Sequence, residues 1–286
     1  MNIKTSWLFL LAGLGCALGA ATAQAACPSE SEAAELVSRY LERRPLENLP
    51  AMSLAEAECG RERVVALLGR QLGRVAGYKA GLTNPAVQQR FNHDRPVRGT
   101  LLAGMLLEDG ASVPARFGAQ PRFEADLLVR VKDPEIHAAT TPEEVMQHLD
   151  ALIPFIELPD LLVQDPGKLD GAAITYINVG ARLGVMGKPL PASPALTAQL
   201  PGMSVRVLDG EGRELDRGRG SDLMGHPLQA VIWLAWDLAR SGIRLQAGDL
   251  LSLGSFSRPL TPQAGQRVRV VYEGLEGAPA VEVHFQ

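Results

Sequence analysis

The sequence predicts an α+β protein in which a short helical segment at residues 26–73 leads into a β-rich body at residues 74–286. Apolar residues Ala33, Leu36, Val37 and Tyr40 recur at helical spacing, with Glu and Arg between them. From Arg74 onward the texture changes to short apolar runs punctuated by Gly, Pro and Asp. The chain's 29 Gly and 20 Pro demand many short turns, which favours strands over a long-helix bundle.

The elements follow in order. Residues 1–25 carry Lys4, an apolar run from Trp7 to Ala23 and the small-residue sequence Ala23-Gln24-Ala25. This is the pattern of a secretory signal peptide cleaved before Ala26, giving a periplasmic or secreted protein. A retained membrane anchor and a lipid anchor through Cys27 are the alternatives. No later stretch has the length of consecutive apolar residues that a membrane span needs. Helices are predicted over Ser29 to Arg43 and Ser53 to Gly69, the second capped by Ser53 and stopped by Gly69. Strands are predicted at Val75–Lys79, Phe123–Val131, Arg182–Met186, Ser204–Leu208, Asp249–Leu253, Gln266–Tyr272 and Val281–Phe285. Two helices interrupt them: Thr141–Ala151, with Pro142 in the first turn and Glu144 as capping-box acid, and the apolar Leu228–Ser241.

A formal charge of −4 supplies no basic field for phosphate backbones, so nucleic acid is excluded as a partner. Loss of the leader removes Cys16 and leaves Cys27 and Cys59, which in an exported chain imply one disulfide, unpaired thiols being the alternative. Neither cysteine has a partner at zinc-ligand spacing. The Gly-x-Gly at residues 218–220 lacks the strand-turn-helix context of a dinucleotide site, and there is no Gly-x-Ser-x-Gly nucleophile elbow.

Chemistry concentrates elsewhere. Glu124 and Asp126, two apart on a strand, share a face and repel unless a proton or a cation lies between them. Glu157 follows an apolar segment and belongs at a strand end. Carboxylates with no basic mate suit Mg²⁺ or Mn²⁺; a solvated acidic edge is the competing reading. Lys79, enclosed in Gly77-Tyr78-Lys79-Ala80-Gly81, is either a partly desolvated lysine suited to proton transfer or anion binding, or a surface lysine. Arg182 either reaches a second substrate carboxylate or makes a structural ion pair. His93 is the only histidine near the Lys79 segment, and a place on a loop surface is expected for it.

Taken together, Gly77-Tyr78-Lys79-Ala80-Gly81-Leu82-Thr83, Pro121-Arg122-Phe123-Glu124-Ala125-Asp126, Pro154-Phe155-Ile156-Glu157, Gly225-His226-Pro227-Leu228 and Ala247-Gly248-Asp249 to Gly254-Ser255 resemble the 2-keto-4-pentenoate hydratase branch of the fumarylacetoacetate hydrolase superfamily. The resemblance spans nearly all of the chain beyond the leader. It implies a mixed β-roll, a homo-oligomer, and a divalent cation held by Glu124, Asp126 and Glu157. It also implies a lyase that hydrates a small unsaturated 2-keto acid such as 2-hydroxypenta-2,4-dienoate through a metal-stabilised enolate. Lys79 matches the family's active-site lysine, and Ser255 matches a hydroxyl that binds the substrate carboxylate. Two departures stand out: the usual Glu-x-Glu is Glu124-x-Asp126, and the acid expected just before Met105 is replaced by Ala103-Gly104. They keep a 2-oxo acid decarboxylase, an acylpyruvate carbon–carbon hydrolase and a non-catalytic periplasmic binding protein open as alternatives.

Overall fold

The computed structural model describes residues 26–286, so the leader expected at residues 1–25 lies outside the described residues. Helices α1 (Glu30–Glu42) and α2 (Leu54–Leu72) form where the apolar spacing places them. Both open on a capping box, Ser29 with Glu32 and Ser53 with Glu56, satisfying backbone donors that the first turn leaves free. The second helix runs past its expected stop: Gly69 remains helical, and Gly73 takes the positive φ of 83° that ends the element. Cys27 and Cys59 are disulfide-bonded, with Cα atoms 5.5 Å apart, which ties the residues ahead of α1 to α2.

The body then alternates strands with short helices: β1 (Val75–Gly81), α3 (Pro85–Arg90), β2 (Val97–Leu102), β3 (Leu106–Glu108), β4 (Ala111–Val113) and β5 (Glu124–Val131). Next come α4 (Pro142–Gln147), β6 (Leu149–Leu158), α5 (Gly171–Tyr176), β7 (Leu183–Met186), β8 (Leu190–Pro191) and α6 (Pro194–Gln199). The chain closes with β9 (Ser204–Asp209), β10 (Glu214–Arg219), α7 (Gln229–Arg240), β11 (Leu250–Ser252), β12 (Arg267–Glu273) and β13 (Ala280–Phe285). The helix expected to reach Ala151 stops at Gln147, and the long strand β6 starts two residues later. Among the described residues no helix is long and apolar enough to cross a membrane.

The strands form two mixed sheets. One runs in the order β2-β1-β11-β5-β6-β7-β3, with β8 added to β6; the other is β10-β9-β12-β13-β4. Side-chain parity divides the core between the two faces of the larger sheet. Leu127 and Val129 of β5 and Leu152 and Ile156 of β6 join the small sheet and α7 in one cluster. Leu128, Ile153 and Phe155 pack with α1, α2 and α5 in the other. Gly60 permits the close crossing of α2 and α5, since a Cβ there would lie 2.5 Å from the Tyr176 ring. The architecture is therefore α+β, with a helical layer, a curled central sheet and a smaller sheet.

Candidate active site

Lys79 on β1, Glu124 and Asp126 on β5 and Glu157 on β6 occupy the parity that faces the helical layer, because Tyr78, Ala80, Leu127 and Ile156 face the opposite cluster. The β5–β6 register sets Glu124 directly opposite Glu157 and Asp126 opposite Phe155. Strand β11 lies between β1 and β5 and places Ser252 beside Lys79. From the small sheet, the Tyr272 hydroxyl caps the Asp126 carbonyl and accepts from the Phe155 N–H at 3.0 Å, fixing the two acidic strands together.

Lys79, Glu124, Glu157 and Ser255 line one cavity of about 140 Å³ whose remaining wall is largely apolar, including Leu82, Phe91, Leu161 and Ile174. Lys79 is only 4% exposed. Its ammonium is paired with Glu157 and donates to the Val179 carbonyl at 3.0 Å. Burial, reinforced by the Glu157 charge, pushes the Glu124 carboxyl up to about 7 against the opposing pull of Lys79 and the Ser255 hydroxyl. Burial and the same Glu157 charge drive Asp126 well above the ordinary carboxylate range, although hydrogen bonds from Ser252 and Leu127 oppose the shift.

Asp126 stands behind the cavity rather than in its wall. Its Oδ2 accepts from the Ser252 hydroxyl at 2.5 Å, and its Oδ1 from the backbone N–H of Leu127 at 2.5 Å and of Gly254 at 3.1 Å. That last contact needs the φ of 105° at Gly254, where an added Cβ would also lie 2.4 Å from the Thr83 hydroxyl. Ser255, next in the same turn, donates to the Ser257 carbonyl at 2.7 Å.

The structure does not bring Arg182 into this cavity. Its guanidinium pairs with Asp160 at 3.3 Å, donates to the carbonyls of Tyr40 (2.8 Å) and Phe117, and lies 4.3 Å from the centre of the Tyr40 ring. The structural ion pair left open by the sequence is the role these contacts match. Ala103 and Gly104 also lie off the cavity wall: Ala103 N–H bonds to the Arg74 carbonyl, and Gly104 packs on the backbone of Leu72. None of the histidines lines the cavity. His137 and His226 bridge backbone groups, His148 pairs with Asp133, and half-buried His93 packs on Gly171.

A feature the sequence reading missed is the turn that supplies the Val179 carbonyl. Asn178, Val179 and Gly180 all have positive φ, at 55°, 54° and 67°. For β-branched Val179 this is strained backbone. The Asn178 amide holds it, accepting from Thr100 N–H at 2.8 Å and donating to the Thr100 carbonyl at 2.9 Å. An Asn-Val-Gly tripeptide carries no periodicity or motif that announces such a role.

The donor set can be compared with the cation implied by the resemblance. Among the described residues, no three His, Cys, Asp or Glu side chains form a ready-made cage. Two carboxylates nevertheless face each other at the cavity wall with a third behind them. Their mutual repulsion is what raises Glu124 and Asp126, after burial. An all-oxygen pair that keeps positions for water and substrate fits a hard divalent ion of the Mg²⁺ type.

No family model matches the chain. It is 32% identical over 234 residues to 2-hydroxyhexa-2,4-dienoate hydratase of Comamonas testosteroni, an alignment covering 80% of this chain and 86% of the relative. It is likewise 32% identical over 224 residues to 2-keto-4-pentenoate hydratase of Paraburkholderia xenovorans (strain LB400), covering 77% and 78%. Among solved structures, 4-oxalocrotonate decarboxylase from Pseudomonas putida G7, complexed with magnesium and adipate, superimposes with a TM-score of 0.79 at 24% identity over 90% of this chain and 97% of that one, which establishes the shared fold. The chain belongs to the 2-keto-4-pentenoate hydratase family of enzymes, within the fumarylacetoacetate hydrolase fold.

Proposed function

We propose that the protein is a divalent-cation-dependent lyase that adds water to a small unsaturated 2-keto acid such as 2-hydroxypenta-2,4-dienoate. The carrying observation is one small, mostly apolar cavity in a chain of the hydratase family that holds a buried lysine against two facing carboxylates. Glu124 and Glu157 are the residues to hold Mg²⁺ or Mn²⁺ at the cavity wall, and Asp126, the third ligand the resemblance implies, stands behind them with its oxygens bonded to Ser252, Leu127 and Gly254. Bound there, the ion supplies Lewis-acid polarisation and a template for the substrate's keto and carboxylate oxygens. Lys79, withdrawn from water and steered by Glu157 and the Val179 carbonyl, is positioned to hold the substrate carboxylate or move a proton at its Nζ. Ser255 offers a hydroxyl on the same wall, beside an apolar lining that faces the substrate's carbon chain.

The test is an assay of Ala26–Gln286 with 2-hydroxypenta-2,4-dienoate, 2-hydroxymuconate and acylpyruvates, read by ultraviolet absorbance and product mass. Turnover with a product one water heavier, abolished by a chelator and restored by Mg²⁺ or Mn²⁺, is expected. Loss of carbon dioxide or carbon–carbon cleavage would reassign the reaction, and silence on every substrate with cation binding intact would make the protein a binder. Glu124→Gln and Glu157→Gln should each lose Mg²⁺ binding in calorimetry while keeping the native circular dichroism spectrum. Retained tight binding in both variants removes these ligands.

We also propose that the protein is exported and cleaved before Ala26. The three-zone leader and the Cys27–Cys59 disulfide support this reading, since such bonds persist in oxidising compartments. Full-length chain expressed in a bacterium should be recovered from the periplasm with an intact mass starting at Ala26 and no free thiol. An uncleaved cytoplasmic product would contradict it.

A further inference from the structure

We propose that the groove between α7, β2 and the start of α2 is a second ligand site, which takes a small flat monoanion of the aryl carboxylate class. It shares no lining residue with the Lys79 cavity and does not rest on the function proposed for that cavity.

Helix α7 presents two faces. Ala230, Val231, Leu234, Ala235 and Leu238 bury one of them in the core. Trp233, Trp236, Asp237 and Arg240 follow the i, i+3, i+4, i+7 spacing of the other, and they line a cavity of about 280 Å³. Arg98 of β2 joins them, and Leu54, Pro96 and Val97 extend the apolar wall. Trp236 is 56% exposed and Trp233 half-buried, so indole surface is open to a ligand. The Arg240 guanidinium covers the Trp236 ring, 4.7 Å from its centre.

Charge decides what the groove accepts. Its lining sets Arg95, Arg98 and Arg240 against Glu58 and Asp237, an excess of one positive charge. Arg98 is 3% exposed; its Nε donates to Asp237 Oδ2 at 2.6 Å and its Nη2 to Ser241 Oγ at 3.0 Å. Its buried Nη1 has no hydrogen-bond acceptor among the described residues. Glu62 Oε1 lies 3.6 Å from that nitrogen and already accepts from Arg61 at 2.7 Å. A buried guanidinium N–H left unfilled is a cost that an anionic oxygen removes. Arg95 and Arg240 are exposed, and their pairings with Asp94 at 2.7 Å and Asp237 at 3.9 Å are of the solvent-weakened kind, so both are free to turn towards an anion. The single excess charge therefore suits one carboxylate, while the indoles and the apolar wall suit a flat ring attached to it.

The sequence supplies its own probe. Of the chain's tryptophans Trp7 lies in residues 1–25, so the indole emission of Ala26–Gln286 comes from Trp233 and Trp236 and reports on this groove. The experiment titrates Ala26–Gln286 with benzoate, benzamide and acetate in the presence of a chelator, read by tryptophan emission and by calorimetry. Benzoate should give a saturable change, with benzamide, which lacks the charge, and acetate, which lacks the ring, each at least about ten-fold weaker. Trp236→Ala and Arg240→Gln alter exposed side chains, and each should weaken benzoate at least about five-fold while the melting temperature holds. Arg98→Lys keeps a charge facing Asp237 but removes the guanidinium fork, and it should weaken benzoate by a similar factor. Equal affinity for benzoate and benzamide, or no saturable change with benzoate, would overturn the proposal. So would a response that requires Mg²⁺, which would place benzoate in the Lys79 cavity. An emission that shifts with protein concentration, and subunits that separate in gel filtration on Trp236→Ala, would overturn it as well by giving the groove to a second copy of the chain.

Discussion

Lys79 and Glu157 form a pair in which each compensates the other's burial, at 4% and 3% exposure. Removing one partner strands a charge in the interior, a change that costs about 3–5 kcal/mol. Lys79→Ala should therefore melt lower than the parent and lose turnover while retaining Mg²⁺. Unchanged kcat/KM would remove Lys79 from the chemistry. Asn178 acts one step further away. Asn178→Ala deletes both bonds to Thr100 and frees the strained Val179 carbonyl, so kcat should fall roughly ten-fold or more with a smaller change in KM, as expected when a transition-state group is misplaced. A parental kcat in this variant would show that the turn does not position Lys79. The residue scale also shows the limits of reading from sequence. Lys79, Glu124 and Glu157 were legible because unlike residue types recur in a set order across the chain. Asn178 was not, since its contribution is a backbone geometry produced by a contact between residues 78 positions apart. Arg182 looked available only because its partners, Asp160, Phe117 and Tyr40, arrive from remote segments.

At the scale of elements, legibility followed surface exposure. The amphipathic helices α1 and α2 have a wet face and a dry face, so their period shows through. Strand β6 does not: nine of its ten residues are buried because it lies between the helical layer and the small sheet, and the alternation that marks a half-exposed strand is absent. Pro154 in its middle has no N–H to give to the ladder, and its carbonyl accepts from the Gly187 N–H at 2.8 Å. Strand β10 was missed for the opposite reason, as an edge strand carrying Glu214, Asp216, Arg217 and Arg219. The disulfide belongs to this scale, since it joins the start of α1 to α2 across a separation of 32 residues. In the loop-entropy description such a bond contributes about 3 kcal/mol. Reduction, or Cys59→Ser, should lower Tm by roughly 6–12 °C in a domain of this size. A shift below about 2 °C would mean that the helices are held by packing alone.

For the molecule as a whole, residues 26–73 act as the outer layer of the cluster that contains the site rather than as an appendage. Ala33, Leu36, Val37, Tyr40, Val64 and Leu68 are buried in one cluster with Leu101, Leu102, Ile153 and Phe155 of the central sheet. Arg61, 2% exposed, extends from α2 to donate to the Arg98 carbonyl at 2.9 Å, and the Tyr40 ring covers the Arg182 guanidinium. The same sheet face carries Lys79, Glu124 and Glu157, and the α5 helix that α2 crosses at Gly60 contributes Ile174 to the cavity wall. A chain beginning at Arg74 would present that apolar face and the Arg98 carbonyl to solvent, an exposed surface of the kind that drives association. Such a truncation should lose the sharp near-ultraviolet circular dichroism of packed aromatics and elute as aggregate in gel filtration, whatever Mg²⁺ is added. A soluble Arg74–Gln286 fragment that melts cooperatively and binds Mg²⁺ would show instead that the two sheets hold the site without the helical layer. The cavity would then depend on the order within β1, β5 and β6 alone.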